Sequence, residues 1–325
     1  MKLLVNSESW LLKNPFTISR GTRTHAEVVT VSLEEDGVFG RGECTPYARY
    51  GESIESTVME FQGVMQQLRT GKPIAQLLEE MKPGATRNAL DCAWWDLRAK
   101  QAGKRVSDLL GRPAMKSVTT AYTLSLASPA EMEENARANA SRPLIKIKTG
   151  GEAVVEIVAA VRRGAPESRL VVDANEAWRE EEVERNLDAL ADLGVSFVEQ
   201  PLPAGKEALL GRIRRRLPVF ADEAFHTSAD LEALLPLYDG INIKLDKTGG
   251  FSEGLCAIRA ARKRDLSVLC GCMLGTSLAM APMMIVAQEA DYVDLDAPLL
   301  LASDRPEGIR FEGSVMHPFG PELWG

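Results

Sequence analysis

Apolar positions in the first third of the chain follow two patterns. The β-type stretch AEVVTVSL at 26–33 is followed by the turn residues EDG, which predicts a hairpin. From 53 to 68, and again from 86 to 101, apolar residues recur at helical spacing, and the second helix is expected to end at Gly103. Residues 1–112 are therefore predicted to form an α+β domain.

Beyond that domain, short apolar strands alternate with amphipathic helices. Strands are predicted at 144–148, 169–175, 195–201, 219–223, 241–245, 268–272 and 292–296. These are near-continuous runs of Val, Ile and Leu, as expected for parallel strands that are covered on both faces. Their polar end residues recur about every 25 residues, which is the length of one strand, one helix and two loops. A further strand near 118–124 brings the count to eight.

The sequence thus predicts an α/β fold, a (β/α)8 TIM-type barrel over 113–305 with an N-terminal α+β capping domain. The C-terminal segment 306–325 is expected to complete the capping domain by packing on it. A doubly wound open sheet is the structural alternative. Such a sheet normally carries a glycine-rich phosphate motif after its first strand, and the stretch GGEAVVEIV at 150–158 resembles that motif only loosely.

Composition limits the classes of partner and the compartment. The chain has 45% apolar and 26% charged residues, as ordinary folded proteins do. Its net charge of −8 repels phosphate backbones and anionic lipids, so neither nucleic acid nor a membrane is an expected partner. There is no signal-peptide pattern and no run of roughly 18 apolar residues. Five cysteines, an odd number, favour reduced thiols and a cytoplasmic location. A homo-oligomer is compatible with this composition.

Three carboxylates end three successive predicted strands: Asp173, Glu199 and Asp222. Any one of them alone would be read as a solvated loop residue or a helix cap. Because the carboxyl ends of barrel strands converge, three in a row would repel one another unless a hard cation neutralises them, and oxygen ligands suit Mg²⁺. Zinc is disfavoured, since only three histidines exist and Cys270 and Cys272 are more typical of small buried residues.

Three lysines are expected near these carboxylates. Lys146 and Lys148 alternate with isoleucines, so both should point into the barrel, where their mutual repulsion would lower the pKa of one toward that of a general base. Either could instead extend to water. Lys244 ends the sixth barrel strand and faces the second across the barrel. It is either a second base or the ion-pair partner of Asp222 or Glu223.

The motifs together resemble a known family. The strand-end motifs are K-x-K, DAN, EQP, ADE, NIK-x-x-K-x-GG and DLD, and the N-terminal ones are FTISRGTRT, GECTPYARYGES and RNALDCAWWDL. This set resembles the dipeptide epimerases of the enolase superfamily, in the muconate-lactonizing-enzyme-like subgroup, over nearly the whole chain. Enolase-superfamily sites are known to use Lys or His bases with Mg²⁺, which stabilises the enolate that forms when an α-proton leaves.

The resemblance implies a role for each of these residues. Its acid/base residues would be Lys148 and Lys244, with Lys146 as helper, and its Mg²⁺ ligands would be Asp173, Glu199 and Asp222.

The resemblance also implies two contacts at the ends of the substrate. Asp294 and Asp296 would bind the free ammonium of the dipeptide. Helix capping is an equally good explanation for either of them from the sequence alone. Arg23, in a loop of the capping domain, would meet the side-chain carboxylate of a terminal glutamate. The implied partner is therefore a small dipeptide.

The predicted function is a Mg²⁺-dependent epimerase that inverts the C-terminal α-carbon of a dipeptide such as L-Ala-D/L-Glu, in murein peptide salvage. A cycloisomerase or dehydratase of the muconate or succinylbenzoate type is one alternative, although those substrates lack an ammonium for the DLD pair. A Schiff-base aldolase would leave the three carboxylates unexplained. A non-catalytic carboxylate-binding barrel would not need both facing lysines.

Overall fold

The computed structural model describes residues 1–325. The chain begins with a three-stranded antiparallel sheet of β1 (Lys2–Ile18), β2 (Gly21–Glu35) and β3 (Val38–Cys44). The predicted hairpin is present, and Glu35 pairs with Val38 across it. Gly37 adopts a φ of 79°, a left-handed conformation that glycine tolerates without a steric penalty.

Four helices follow this sheet: α1 (Ile54–Arg69), α2 (Ile74–Glu80), α3 (Ala85–Ala102) and α4 (Val106–Leu109). Ser53 caps α1, because its hydroxyl accepts a hydrogen bond from the Ser56 backbone N–H. Helix α3 ends at Gly103, as the sequence predicts. It packs directly on β3, where Gly40 and Gly42 allow its backbone to come close.

A short strand, β4 (Val118–Thr119), precedes the barrel. The barrel strands are β5 (Tyr122–Leu124), β6 (Leu144–Lys148), β7 (Arg169–Asp173), β8 (Val195–Glu199), β9 (Val219–Ala221), β10 (Gly240–Ile243), β11 (Ser267–Gly271) and β12 (Tyr292–Asp294). They are hydrogen-bonded in chain order. The Ala121 N–H donates to the Val293 carbonyl at 2.8 Å, which joins the first strand region to the last. The predicted eight-stranded parallel barrel is therefore confirmed.

Two details differ from the sequence-based prediction. The strand expected near 118–124 is two strands, because the Thr120 N–H bonds to Ser314 of the C-terminal segment, whereas the Ala121 N–H bonds into the barrel. Several strands also end earlier than predicted. Asn175 and Gln200, with φ values of 43° and 38°, leave the extended conformation just after β7 and β8.

The α-helices that follow the barrel strands are α5 (Pro129–Ala138), α6 (Val154–Gly164), α7 (Glu180–Asp192), α8 (Leu231–Leu234), α9 (Leu245–Thr248), α10 (Phe251–Arg262), α11 (Ser277–Val286) and α12 (Ala297–Leu300). Between β8 and β9 there is only a 3₁₀ turn, Ala208–Gly211. No helix of the structure is long and apolar enough to span a bilayer. All five cysteines are free.

The barrel interior is divided into an apolar layer and a charged layer. The buried apolar layer consists of Ala121, Leu144, Val171, Phe197, Phe220 and Leu269. The Phe197 and Phe220 rings stack with centroids 4.0 Å apart. Since side chains alternate along a strand, residues two positions later also point inward, one layer nearer the carboxyl ends. Lys146, Asp173 and Glu199 occupy that next layer.

The C-terminal segment contacts both parts of the molecule. Its two short strands, β13 (Phe311–Glu312) and β14 (Val315–Met316), form a small sheet with β4. Further along, the buried indole of Trp324 donates to the Cys92 carbonyl on α3 at 3.0 Å. The Val106 N–H donates to the Gly325 carbonyl, also at 3.0 Å.

The close approach of α3 to β3 predicts a stability difference between two glycine substitutions. A Cβ at Gly42 would lie 2.1 Å from the Ala89 carbonyl oxygen, so Gly42→Ala should destabilise the protein by about 1–3 kcal/mol through overpacking. Gly63→Ala, on the exposed face of α1 with open space around it, should stabilise by about 1 kcal/mol. Urea unfolding followed by tryptophan fluorescence measures both, and equal midpoints would contradict the packing argument.

Candidate active site

A cavity of about 450 Å³ opens at the carboxyl ends of the barrel strands. The capping domain lines one side of it, with Arg20, Arg23 and Tyr47 among the lining residues. The other side is the charged layer of the barrel. The sequence-predicted residues that line the cavity from the barrel are Lys146, Lys148, Asp222, Lys244, Asp294 and Asp296.

Three buried carboxylates form a cluster beside this cavity, and of the three only Asp222 lines it directly. Asp173 and Glu199 are the last residues of β7 and β8, and Asp222 directly follows β9. One oxygen from each carboxylate lies within 4.8 Å of the others. All three side chains are at least 98% buried, so little of their charge is screened by water.

The three predicted lysines lie against this cluster. Lys148 Nζ is 2.6 Å from Asp173 Oδ2, and Lys244 Nζ is 2.7 Å from Asp222 Oδ2. Lys146 Nζ bonds to Asp294 at 2.8 Å. It also lies 2.8 Å from Glu199 Oε2, an ion-pair contact without hydrogen-bond geometry. The ion pair between Lys244 and Asp222, an alternative raised by the sequence, is therefore present.

The expectation that repulsion between Lys146 and Lys148 lowers a lysine pKa is wrong for Lys146. Burial disfavours its charge, but Asp294, Glu199 and Asp173 surround the ammonium and raise its pKa well above the ordinary value. Carboxylates, not the neighbouring lysine, therefore dominate its environment.

Lys244 behaves in the same way. Burial again opposes its charge, but Asp222 and Glu199 raise the pKa of Lys244 well above the usual range. Both of these lysines therefore carry a proton while the carboxylates beside them are ionised.

Burial still opposes the ionisation of one carboxylate of the cluster, Glu199. Burial and the neighbouring Asp173 raise the pKa of Glu199 to about 8, although Lys146 lies beside it. Glu199 Oε2 has no hydrogen-bond donor. Three buried carboxylates whose oxygens lie close together are the donor set that a hard divalent cation such as Mg²⁺ prefers. The residues present therefore fit a Mg²⁺ ion.

Asp294 and Asp296 lie on the β12 side of the cavity. Asp296 Oδ2 accepts a hydrogen bond from the Thr123 N–H at 2.6 Å. Asp296 precedes α12, but its side chain does not cap that helix. Burial and the nearby Asp294 raise the pKa of Asp296 to about 7. The pair is thus a buried, acidic end of the cavity with one ammonium, that of Lys146, already bound to Asp294.

The two arginines at the β1–β2 hairpin differ in their contacts. Arg20 lies in the turn, whereas Arg23, which the sequence analysis placed in a loop, is part of β2 and pairs with Phe16 of β1. Arg20 donates to Glu223 at 2.7 Å, to the Asn175 carbonyl at 3.0 Å and to the Tyr47 hydroxyl at 3.1 Å. Arg23 makes no hydrogen bond or ion pair, and its guanidinium lies over the Tyr47 ring, 5.3 Å from the centroid. Of the two, Arg23 is therefore the cation that remains free to meet an anion in the cavity.

Sequence reasoning missed several residues that contact the carboxylate cluster. Lys247 bonds to Asp222 Oδ1 at 2.6 Å, and Asn242 bonds to Glu199 Oε1 at 2.7 Å. Asn242 could have been found, because it lies two residues before Lys244 and therefore faces the same side of β10. Lys247 is part of the NIK-x-x-K motif, but its direction depends on the turn into α9.

The two cysteines of the Cys-Gly-Cys stretch do not form a thiolate site. Cys270 is buried among apolar residues, and burial raises the pKa of its thiol. Cys272 lines the cavity, and burial together with Asp294 and Asp296 raises its pKa well above the usual value. Both sulfurs therefore stay protonated and are poor metal ligands.

The chain matches two family models and several characterised proteins. Residues 1–111 match the N-terminal domain of mandelate racemase / muconate lactonizing enzyme, and residues 131–317 match the enolase C-terminal domain-like family. The L-Ala-D/L-Glu epimerase of Escherichia coli (strain K12) is 42% identical over 315 residues, covering 96% of this chain and 98% of that protein. An N-acetyl-D-glutamate racemase of a Pseudoalteromonas species is 38% identical, covering 92% and 95% of the two chains.

Solved structures give the same assignment. An enolase family member from Agrobacterium tumefaciens with homology to dipeptide epimerases, solved with sodium and L-Ala-L-Glu, has a TM-score of 0.96 at 48% identity and covers 99% of both chains. The Cytophaga hutchinsonii dipeptide epimerase complexed with Mg and D-Ala-L-Val has a TM-score of 0.91 at 28% identity, covering 98% and 94%. The resemblance seen in the motifs is confirmed: the chain belongs to the mandelate racemase / muconate lactonizing enzyme family of the enolase superfamily, among the isomerases that include the dipeptide epimerases.

Proposed function

We propose that this protein is a Mg²⁺-dependent epimerase that inverts the C-terminal α-carbon of a dipeptide, with L-Ala-D/L-Glu as its substrate. One observation carries the proposal. Lys148 and Lys244 extend from β6 and β10, which are four strands apart in a barrel of eight and therefore opposite each other. Both line the cavity, and the carboxylate cluster lies between them. An α-carbon bound above the cluster would have one amine on each face.

In this proposal the two lysines exchange protons with the substrate. The Nζ of one lysine removes the α-proton from its face, and the Nζ of the other delivers a proton to the opposite face, which inverts the stereocentre. Lys146 assists without exchanging a proton. It is fully buried and already contacts Asp173, Glu199 and Asp294, so it provides fixed positive charge beside the reacting carbon.

Asp173, Glu199 and Asp222 would hold the Mg²⁺ ion. When bound, Mg²⁺ supplies positive charge that stabilises an enolate-like substrate carboxylate and opposes the charge on the adjacent lysines. The three buried carboxylate oxygens of the cluster, and the lack of a hydrogen-bond donor at Glu199 Oε2, support this assignment. The Cytophaga hutchinsonii relative was solved with Mg and a dipeptide, which is consistent with it.

The two ends of the dipeptide would be bound by opposite charges. Asp294 and Asp296 are the acidic residues available for the N-terminal ammonium. Arg23, whose guanidinium lacks an ionic partner, would bind the side-chain carboxylate of a C-terminal glutamate. The Escherichia coli relative is named for L-Ala-D/L-Glu, and the Agrobacterium tumefaciens structure contains L-Ala-L-Glu. Murein peptide salvage in the cytoplasm would supply such a dipeptide, and the free cysteines agree with that compartment.

Racemisation of an N-acylated glutamate is the second candidate function, because the Pseudoalteromonas relative is an N-acetyl-D-glutamate racemase. The two reactions share the α-carbon chemistry and the glutamate side chain. They differ at the nitrogen, since an N-acyl group carries no charge. The buried Asp296 favours the dipeptide, because an uncharged acyl group would leave this carboxylate without a cationic partner, whereas Asp294 is already paired with Lys146.

The first prediction concerns metal removal. Exhaustive dialysis against EDTA should abolish epimerisation of L-Ala-L-Glu, and added Mg²⁺ should restore it, because the carboxylate cluster lacks its cation after chelation. Circular-dichroism assays of the product, with a melting curve of the dialysed protein as folding control, measure this. Full activity after dialysis would contradict the metal assignment.

The second prediction concerns the two opposed lysines. Lys148→Ala and Lys244→Ala should each stop epimerisation, yet each should still exchange the α-proton of one epimer with D₂O. The exchanged epimer should differ between the two variants, because each retains the amine of one face. Mass spectrometry measures the deuterium, and Lys263→Ala, on the exposed end of α10, is the control. Exchange of the same epimer by both variants would refute the arrangement.

The third prediction concerns the ammonium contact. A charge-assisted bond is worth about 1.5–3 kcal/mol, so Asp296→Asn should lower kcat/KM for L-Ala-L-Glu by about 10- to 150-fold. N-acetylglutamate, which has no ammonium, should be a poor substrate of the unmodified protein. Its kcat/KM should fall much less than that of the dipeptide on Asp296→Asn.

The pH dependence of the same contact follows from the raised pKa of Asp296, about 7. Protonation below that pH removes the negative charge, so kcat/KM for the dipeptide should fall as the pH drops through 7, and Asp296→Asn should lack this decline. Two results together would favour racemisation of an N-acylated glutamate. The unmodified protein would turn over N-acetylglutamate efficiently, and Asp296→Asn would lower kcat/KM equally for both substrates.

A further inference from the structure

Each carboxylate of the cluster has one oxygen bound by a donor other than the cavity lysines, and its other oxygen faces those lysines. Lys148 and Lys244 bond to two of the lysine-facing oxygens, which a bound cation would share or take over. The bound oxygens are Asp173 Oδ1, Glu199 Oε1 and Asp222 Oδ1. The oxygens that face Lys146, Lys148 or Lys244 are Asp173 Oδ2, Glu199 Oε2 and Asp222 Oδ2. Neither Lys247 nor Asn242, which supply two of the three donors, lines the cavity.

Lys247 uses all of its donor capacity to hold Asp222. Its ammonium is 2.6 Å from Asp222 Oδ1 and 3.0 Å from the Asn242 carbonyl, and it also contacts the Asp222 backbone carbonyl. An ammonium has three N–H donors, so none remains for a substrate. The side chain is fully buried. Lys247 therefore differs from Lys244, which approaches the same carboxylate from the cavity side.

Asn242 holds Glu199 in a similar way. Its side-chain amide donates to Glu199 Oε1 at 2.7 Å, and the residue is completely buried. The space it occupies exists because residue 271 is glycine, since a Cβ there would lie 2.5 Å from Asn242 Oδ1. The amide therefore has little room to rotate away. Asn242 and Lys247 are also joined to each other through the Asn242 carbonyl.

The third carboxylate is held by the main chain. Asp173 Oδ1 accepts a hydrogen bond from the Asn175 N–H at 2.9 Å. Asn175 has a φ of 43°, a left-handed conformation that asparagine tolerates better than most residues. One oxygen of every carboxylate is thus already bound before any cation arrives.

We propose that Lys247 and Asn242 are positioning residues which restrict Asp222 and Glu199 to one available oxygen each, so that the cluster selects Mg²⁺ over Ca²⁺. This inference rests on the proposed Mg²⁺ site and explains why that site would prefer Mg²⁺ to Ca²⁺. Mg²⁺ is small and six-coordinate, and three single oxygens leave room for substrate oxygens. Ca²⁺ takes six to eight oxygens and often binds carboxylates through both oxygens, which these hydrogen bonds oppose.

The experiment compares two lysine-to-methionine variants that remove the same charge from the same carboxylate. Lys247→Met frees Asp222 Oδ1, whereas Lys244→Met affects only Oδ2, the oxygen that faces the cavity. Asn242→Leu, of similar shape and volume, frees Glu199 Oε1 independently. Calorimetric titration of each metal-free protein with MgCl₂ and with CaCl₂, in the absence of substrate, gives the ratio of the two Kd values. Melting curves establish that each variant is folded. A folded Lys247→Met or a folded Asn242→Leu is by itself sufficient for the test.

Partners that orient metal ligands typically change metal affinity by about 10- to 100-fold. We therefore expect the affinity for Ca²⁺ relative to Mg²⁺ to rise at least about tenfold in Lys247→Met and in Asn242→Leu. In Lys244→Met both affinities should change together, which leaves the ratio as in the unmodified protein. If the ratio of the two Kd values is unchanged in folded Lys247→Met and Asn242→Leu, or changes equally in all three variants, the inference about selectivity is wrong and the proposed Mg²⁺ site is unaffected. Failure of the unmodified protein to bind Mg²⁺ would instead overturn the proposed metal site itself.

Discussion

The repulsion among three carboxylates buried within 4.8 Å of one another is the constraint on which the rest of the active site depends. Without compensation, such a group would be expensive to bury. The barrel provides four lysine ammonium groups against it, those of Lys146, Lys148, Lys244 and Lys247. Even so, the pKa of Glu199 stays near 8. Glu199 Oε2 also lacks a hydrogen-bond donor, so a cation at this position would stabilise the ionised carboxylate. The polar contacts of the cluster divide into those that face the cavity and those that do not.

The contacts between the capping domain and the barrel converge on the elements that carry this charge. Asp246, two residues after Lys244, accepts hydrogen bonds from the Thr45 N–H at 3.0 Å and the Asn88 side chain at 2.9 Å. Thr45 also donates to the carbonyl of Leu274, a residue that lines the cavity, at 2.9 Å. The residue that follows β3 is thus bonded to α9 and to the loop after β11. The capping domain fixes the positions of residues beside the lysine as well as covering the pocket.

The sequence was most informative where a local pattern decides the outcome. Lys146 was assigned to the barrel interior because period-two alternation sets the direction of its side chain, and Asp173 was assigned to the site because the carboxyl ends of barrel strands converge. The features that the sequence did not predict depend on contacts between residues far apart in the chain. The break between β4 and β5 arises because Thr120 pairs with Ser314, far along the chain. Likewise, Arg20 and Arg23 look equivalent in one loop, and only the position of Glu223 on the barrel determines which of them is already paired.

The buried position of Trp324 against α3 has a consequence for how the molecule is made. The indole and the Cys92 carbonyl that it contacts are separated by 232 residues. At a synthesis rate of about 5–20 residues per second, that interval takes on the order of 10 seconds or more, during which the N-terminal sheet and helices exist without this part of their core. The barrel must be synthesised in between. The aromatic ring of Phe251, which packs against Trp324 and Trp95, therefore lacks one of its two partners until Trp324 has been synthesised, and this is the period in which a chaperone would have most to protect.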